Sequence, residues 1–129
     1  MAKKIFISFK YGEQPWQDNL LQFFQAWGGK AQATPVYVSE GVTLGASENA
    51  IKQAIADRMR DCKGLLVVIG NKAQASPWIS HEVQVASSWR LPYAGTRHPQ
   101  ASGPFPQGFP NMTMLNWSTD DIAKWIAAL

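Results

Sequence analysis

The segment GLLVVIG, residues 64–70, sets five successive apolar residues between two glycines, and no other stretch constrains the fold as much. An apolar run of that length between turn residues reads as a strand covered on both faces, the condition of strands in a parallel sheet flanked by helices. KKIFISF near the amino end is a second such run, with Ile5 and Ile7 alternating against Phe6 and Phe9 completing it, and it reads as the first strand at the sheet centre. Between the two runs, Trp16, Leu20, Phe23, Phe24 and Trp27 recur at helical spacing, and Gly28 and Gly29 are expected to end that helix. PVYVSE, residues 35–40, is expected as a shorter second strand. Ser47 is suited to cap a helix whose Ile51, Ile55 and Met59 fall at intervals of four.

After the third strand, SPWISHEVQVASSW reads as a helix with Ser76 as cap, Pro77 at its first position, and Arg90 and Pro92 closing it. LPYAGTR is expected as a short fourth strand, and an irregular loop rich in proline and glycine is expected over about residues 95–111. TMLNW resumes as a final strand. STDDIAKWIAAL is a terminal helix with Ser118 as cap and Ile122, Trp125, Ile126 and Leu129 facing inward. Alternation of strand and helix implies an α/β fold: a three-layer, flavodoxin-like sandwich with a parallel sheet of about five strands in the order 2-1-3-4-5. Ligands in such folds bind at the carboxyl ends of the strands, where the order reverses, here between the first and third strands. The loops KYGEQP and NKAQAS are expected to face each other there.

Trp78 and Glu82 open the helix after the third strand, one turn apart. A carboxylate beside a large aromatic ring suits a cationic ligand, since the ring face attracts cations and the acid offers countercharge. A plainer reading stands beside it: Trp78, Val85 and Trp89 form a core stripe, and Glu82 is a solvated helix glutamate. The chain of 129 residues, 46% hydrophobic and 16% charged, is expected to form a single domain, 1–129. The net charge of +3 is scattered, so neither nucleic acid nor a membrane surface is an expected partner. No apolar run is long enough to span a bilayer and no signal peptide is recognisable, which suggests a cytoplasmic location. Cys62 alone excludes an internal disulfide and reads as a small core residue. His81 and His98 are too few for a metal site, so none is expected. The acidic residues of a phospho-receiver are missing, with Lys10 and Asn71 near their places, and neither a dinucleotide glycine fingerprint nor a P-loop occurs.

IFISF followed by a polar loop, SEGVTLGAS ahead of the second helix, LLVVIG, and SPWISHE followed by the small residue Ala86 together resemble the TIR and TIR-like domains over residues 3 to about 90. The chain resembles bacterial single-domain TIR-like proteins, including the TIR subunit of the Thoeris anti-phage systems. The resemblance implies that Glu82 is the catalytic residue of a reaction that cleaves NAD between nicotinamide and ribose. It implies further that Ser8, Phe9, Lys10, Tyr11 and Gly12 lie about the nicotinamide end, with Ser47 and Trp78 also at the substrate, and that Lys10 meets the diphosphate. NAD is then a substrate, and no cofactor is implied. The segment Glu40–Ser47 corresponds to a loop that packs against a neighbouring copy in many TIR assemblies, which implies a homo-oligomer. Related Thoeris proteins make a cyclic ADP-ribose-type signal for a separate effector, whereas others hydrolyse NAD to linear product. Two other classes remain open: a non-catalytic assembly module, and a nucleoside deoxyribosyltransferase-like enzyme, which also uses a glutamate on a similar fold. For Tyr11 and Gly12 an ordinary turn, and for Ser47 a helix cap, are the plain alternatives. Trp89 is expected in the core, and His81, rotated about 100° from Glu82 on the helix, is expected to face elsewhere.

Overall fold

The computed structural model describes residues 3–9, 17–37, 47–69, 77–99 and 113–129. Five strands, β1 (Lys3–Ser8), β2 (Ala33–Val36), β3 (Gly64–Ile69), β4 (Tyr93–Arg97) and β5 (Met114–Leu115), form one sheet in the order β2-β1-β3-β4-β5. Every pairing is parallel. The described helices are α1 (Gln17–Ala31), α2 (Glu48–Met59), α3 (Pro77–Ser88) and α4 (Thr119–Ala127). The strand order is the one expected, and it places the reversal between β1 and β3.

Strand periodicity sorts the core into two layers. Phe6, Leu65, Val67 and Ile69 face α2 and α3, meeting Ile51, Ile55, Met59, Ile79, Val83 and Ala86. Ile5, Ile7, Leu66 and Val68 face α1 and α4, meeting Phe24, Trp27, Ile122 and Ile126. All six residues of β3 are buried, as a strand covered on both faces requires. Each fully buried large apolar side chain contributes about 1.5–3 kcal/mol to folding before entropy is set against it.

Three boundaries differ from the sequence reading. Gly28 and Gly29 do not end α1, which runs on to Ala31 and stops at Gln32 with φ 53°. Gly28 is needed for contact instead: a Cβ there would meet the carbonyl oxygen of Ala33 at 2.9 Å, so the glycine lets helix and strand approach. β2 begins two residues earlier than expected and contains Pro35, which an edge strand tolerates. β4 extends through Arg97, so residues 95–97 belong to the sheet rather than to the irregular loop. Most of that loop, and the loops after β1 and β3, lie outside the described residues.

Two of the expected caps are observed, and Ser76 lies outside the described residues. Ser47 accepts a hydrogen bond from the Ala50 amide at 3.2 Å, and Ser118 accepts one from Asp121 at 3.3 Å. α3 closes with Arg90 at φ 58°, where the Leu91 amide donates to Ala86 at 2.8 Å and the Arg90 amide to Ser87 at 3.0 Å. This is a Schellman closure with arginine at the position glycine favours. It leaves Trp89 46% exposed, so Trp89 is not a core residue. Among the described residues no helix is long and apolar enough to cross a membrane.

Candidate functional site

Ser8 is the last residue of β1 and, by strand alternation, points to the same face as Phe6, towards α2 and α3. The stripe by which α3 packs on that face is Ile79, Glu82, Val83 and Ala86, spaced by three, one and three residues. A carboxylate thus occupies one position of an otherwise apolar seam. It is 6% exposed, so the reading of Glu82 as a solvated helix glutamate does not hold. The Ser8 hydroxyl, itself fully buried, donates to Glu82 Oε1 at 2.7 Å. Among the described residues no other group hydrogen-bonds the Glu82 carboxyl.

Burial raises the pKa of Glu82 from 4.5 to about 8, and the Ser8 hydrogen bond, which favours the charged form, offsets a smaller part. At neutral pH the empty site therefore holds mostly the acid form. Trp78 lies in the first turn of α3, half-buried against the same core layer, with its ring edge-on to His81 at 5.8 Å. His81 is held below its ordinary pKa, first by burial and then by Lys52, with Glu48 acting in the opposite sense.

Phe9, one residue past Ser8, turns to the opposite layer and meets Phe24 and Tyr37 edge-on at 5.5 and 5.6 Å. Beyond them Phe23 stacks on Trp117 at 4.0 Å, and Trp117 meets His98 at 4.9 Å. Aromatic rings therefore close the α1/α4 side of the sheet at its carboxyl end. Burial lowers the pKa of His98.

The structure brings Ser8 and Glu82 together and sets Phe9 and Trp78 beside the same end of the sheet. Ser47 is exposed at the start of α2, where it serves as the cap. Lys10, Tyr11, Gly12 and residues 40–46 lie outside the described residues. Cys62 is a core residue whose thiol, next to the Arg58 carbonyl at 3.3 Å, is pushed up to about 11 by burial. Sequence reasoning placed Ser8 among the substrate contacts without its partner, because the pair is separated by 74 positions and only strand register joins them.

A family model of the TIR-like domain of the Thoeris protein ThsB matches residues 6–100. No curated protein matches the chain. Among solved structures, the TIR domains of the activated Roq1 resistosome, which directly recognises the pathogen effector XopQ, are similar with a TM-score of 0.51 at 16% identity. That match covers 76% of this chain, which spans 58% of the Roq1 chain, and at this identity it shows the fold alone. The constitutive lysine decarboxylase of E. coli is similar over 98% of this chain and 17% of its own, with a TM-score of 0.48 and 11% identity.

Proposed function

The chain belongs to the family of TIR-like domains of the Thoeris protein ThsB, and from that premise we propose that it cleaves NAD at the nicotinamide–ribose bond with Glu82 as the catalytic residue. The observation that carries the reading is the Glu82 carboxyl, buried at the carboxyl end of a parallel sheet with a single hydrogen-bond donor among the described residues. Perturbed carboxyls in such places are functional candidates on physical grounds.

The chemistry suits one carboxylate. The bond between C1′ and the ring nitrogen breaks with its electron pair passing to the nitrogen, so nicotinamide departs neutral and no general acid is needed. Positive charge develops on the ribose, and Glu82 stabilises it. The pyridinium of bound NAD favours the ionised carboxyl, so binding draws off the proton that the empty site holds. Trp78 offers a ring face to the pyridinium or adenine. Phe9 and the segment Lys10–Gly12 approach the nicotinamide end in this reading, with Lys10 at the diphosphate. Ser47 is read as a cap that sets the start of α2 near the substrate.

Water adding to C1′ gives linear ADP-ribose, nicotinamide and a proton. An internal nucleophile adding there and losing its proton gives a cyclic ADP-ribose isomer, the product proposed here, as a signal for a separate effector in anti-phage defence. Assembly of like copies through residues 40–47 and a cytoplasmic location complete the proposal.

The test is chromatography with mass detection of NAD incubated with wild type and Glu82→Gln, at high protein concentration and in lysate of phage-infected cells expressing each. Glu82-dependent release of nicotinamide with a cyclic product supports the proposal, and a linear product makes the protein a hydrolase. Intact NAD in both settings, with both proteins folded, favours the assembly module. That second reading has one observation of its own, the Trp89 ring exposed on a helix end held at positive φ. Turnover of nucleosides instead of NAD would favour the deoxyribosyltransferase-like reading.

A further inference from the structure

We propose that Ser8 is a positioning residue: its hydroxyl fixes Oε1 of Glu82, turns Oε2 towards the substrate, and keeps the carboxyl ready to ionise when a cation arrives. The proposal deepens the reading of Glu82 as catalytic and rests on it.

The geometry carries it. Glu82 has two oxygens, and Ser8 donates to Oε1 at 2.7 Å from the end of a strand whose last four residues are buried. A glutamate side chain turns freely about its last torsion unless something holds it, and the hydrogen bond from a rigid strand supplies that hold. Ser8 pairs in register with Val67, so its backbone is fixed in the sheet. Among the described residues only Oε1 has a donor, which leaves Oε2 for a developing positive charge. A hydroxyl donor stabilises the ionised carboxyl more than the neutral one, so Ser8 eases ionisation without adding charge that would repel a cation.

Among the described residues no other charged group replaces it. β3 brings none, and β1 brings Lys3 and Lys4 at the opposite end of the strand. β4 brings Tyr93 at its start and Arg97 at its end, while His81, on α3 itself, turns to Trp78. α2 brings Glu48 and Lys52, which act on His81, with Asp57 and Arg58 in its last turns. Among the described residues the ionisation of Glu82 answers to burial and to Ser8.

Two measurements test this, one independent of turnover. Glutamate labelled with ¹³C at the side-chain carboxyl gives four signals in this chain, and the one missing in Glu82→Gln is Glu82. Its NMR titration should move to higher pH in Ser8→Ala and return towards wild type in Ser8→Thr, which keeps the hydroxyl. In NAD turnover, Ser8→Ala should lower kcat by about ten- to a hundredfold with little change in KM, the loss expected of one hydrogen bond to a charged group. The acid limb of its pH–rate profile should shift upward as the NMR titration does. An unchanged Glu82 titration in Ser8→Ala overturns the proposal, as does a rise in KM with kcat intact. Absence of NAD turnover in wild type would sink the catalytic reading, while the NMR titration still decides whether Ser8 governs Glu82.

Discussion

Replacing Glu82 by glutamine should alter how stability depends on pH, with a sign fixed by the structure. In the folded chain the carboxyl titrates near 8 rather than 4.5 because burial penalises its charged form. Between those values the native state holds a proton that the unfolded state has released, so stability falls as pH rises through this window. Below it both states are protonated and the penalty vanishes; above it the penalty is complete. At about 1.4 kcal/mol per pH unit, the difference between 4.5 and about 8 is worth about 5 kcal/mol, a large share of what such a domain has.

Glu82→Gln has nearly the same shape, keeps an acceptor for the Ser8 hydroxyl, and does not titrate. Urea unfolding of both proteins from pH 5 to 8.5 should show wild type losing about 4 kcal/mol relative to the variant as pH rises, with equal m-values. His81, His98 and Cys62 also titrate anomalously, but they are common to both proteins and cancel in the difference. A flat difference curve would mean that Glu82 is hydrated and ionised in the fold. A curve of opposite slope would mean that a cation is paired with it. Either result refutes the argument from burial, whatever the chain does to NAD.

Neighbouring glycines should respond in opposite directions to alanine. Gly28→Ala should destabilise by about 1–3 kcal/mol because its Cβ would lie 2.9 Å from the Ala33 oxygen, whereas Gly29→Ala, with nothing within 4 Å, should stabilise by about 0.5–1 kcal/mol; thermal unfolding reads both. Arg90→Gly should stabilise by about 1 kcal/mol in urea, since only glycine takes φ 58° without cost. Cys62 should resist iodoacetamide at pH 8 in the folded protein and react rapidly after unfolding, because its thiol is buried and pushed up to about 11. Ser8→Ala combined with Glu82→Leu removes both members of the buried polar pair and should raise stability at pH 8 by about 1–4 kcal/mol while abolishing any NAD turnover.

The sheet was legible in the sequence because its central strands are covered on both faces, so LLVVI and IFI read as unbroken apolar runs. The edges were less so. β2 carries Pro35 and the half-buried Val36, and β5 is two residues long, so neither presents a pattern that local spacing can bound. Gly28 and Gly29 look like a helix stop in sequence, yet the need at Gly28 is set by β2 passing behind it, a tertiary fact. On α3, bulk pointed to Trp78, Val85 and Trp89 as the core stripe, but the buried seam runs through Ile79, Glu82, Val83 and Ala86. The small alanine and the ionisable glutamate hid that seam, and the glutamate is also what gives the candidate site its chemistry. The resemblance to TIR domains singled out Glu82, while its tie to Ser8 is a matter of strand register.

The two ends of β1 show how differently this fold treats charge. At the amino end the Lys3 ammonium, which has three hydrogens, donates to the carbonyl oxygens of Ile126 and Leu129 at 3.1 Å and Ala127 at 3.5 Å, closing α4 with every donor used. At the carboxyl end the Glu82 carboxyl, which has room for about four donors when ionised, receives one among the described residues. Stability alone would fill that seam with leucine or methionine, or surround a carboxylate with donors, as buried charges elsewhere require. An ionised carboxyl that is buried with one donor among the described residues is costly to the protein, and that cost falls when it takes up a proton or when a positively charged group reaches it. Among the described residues the donors of Lys3 are all met, and the acceptors of Glu82 are not.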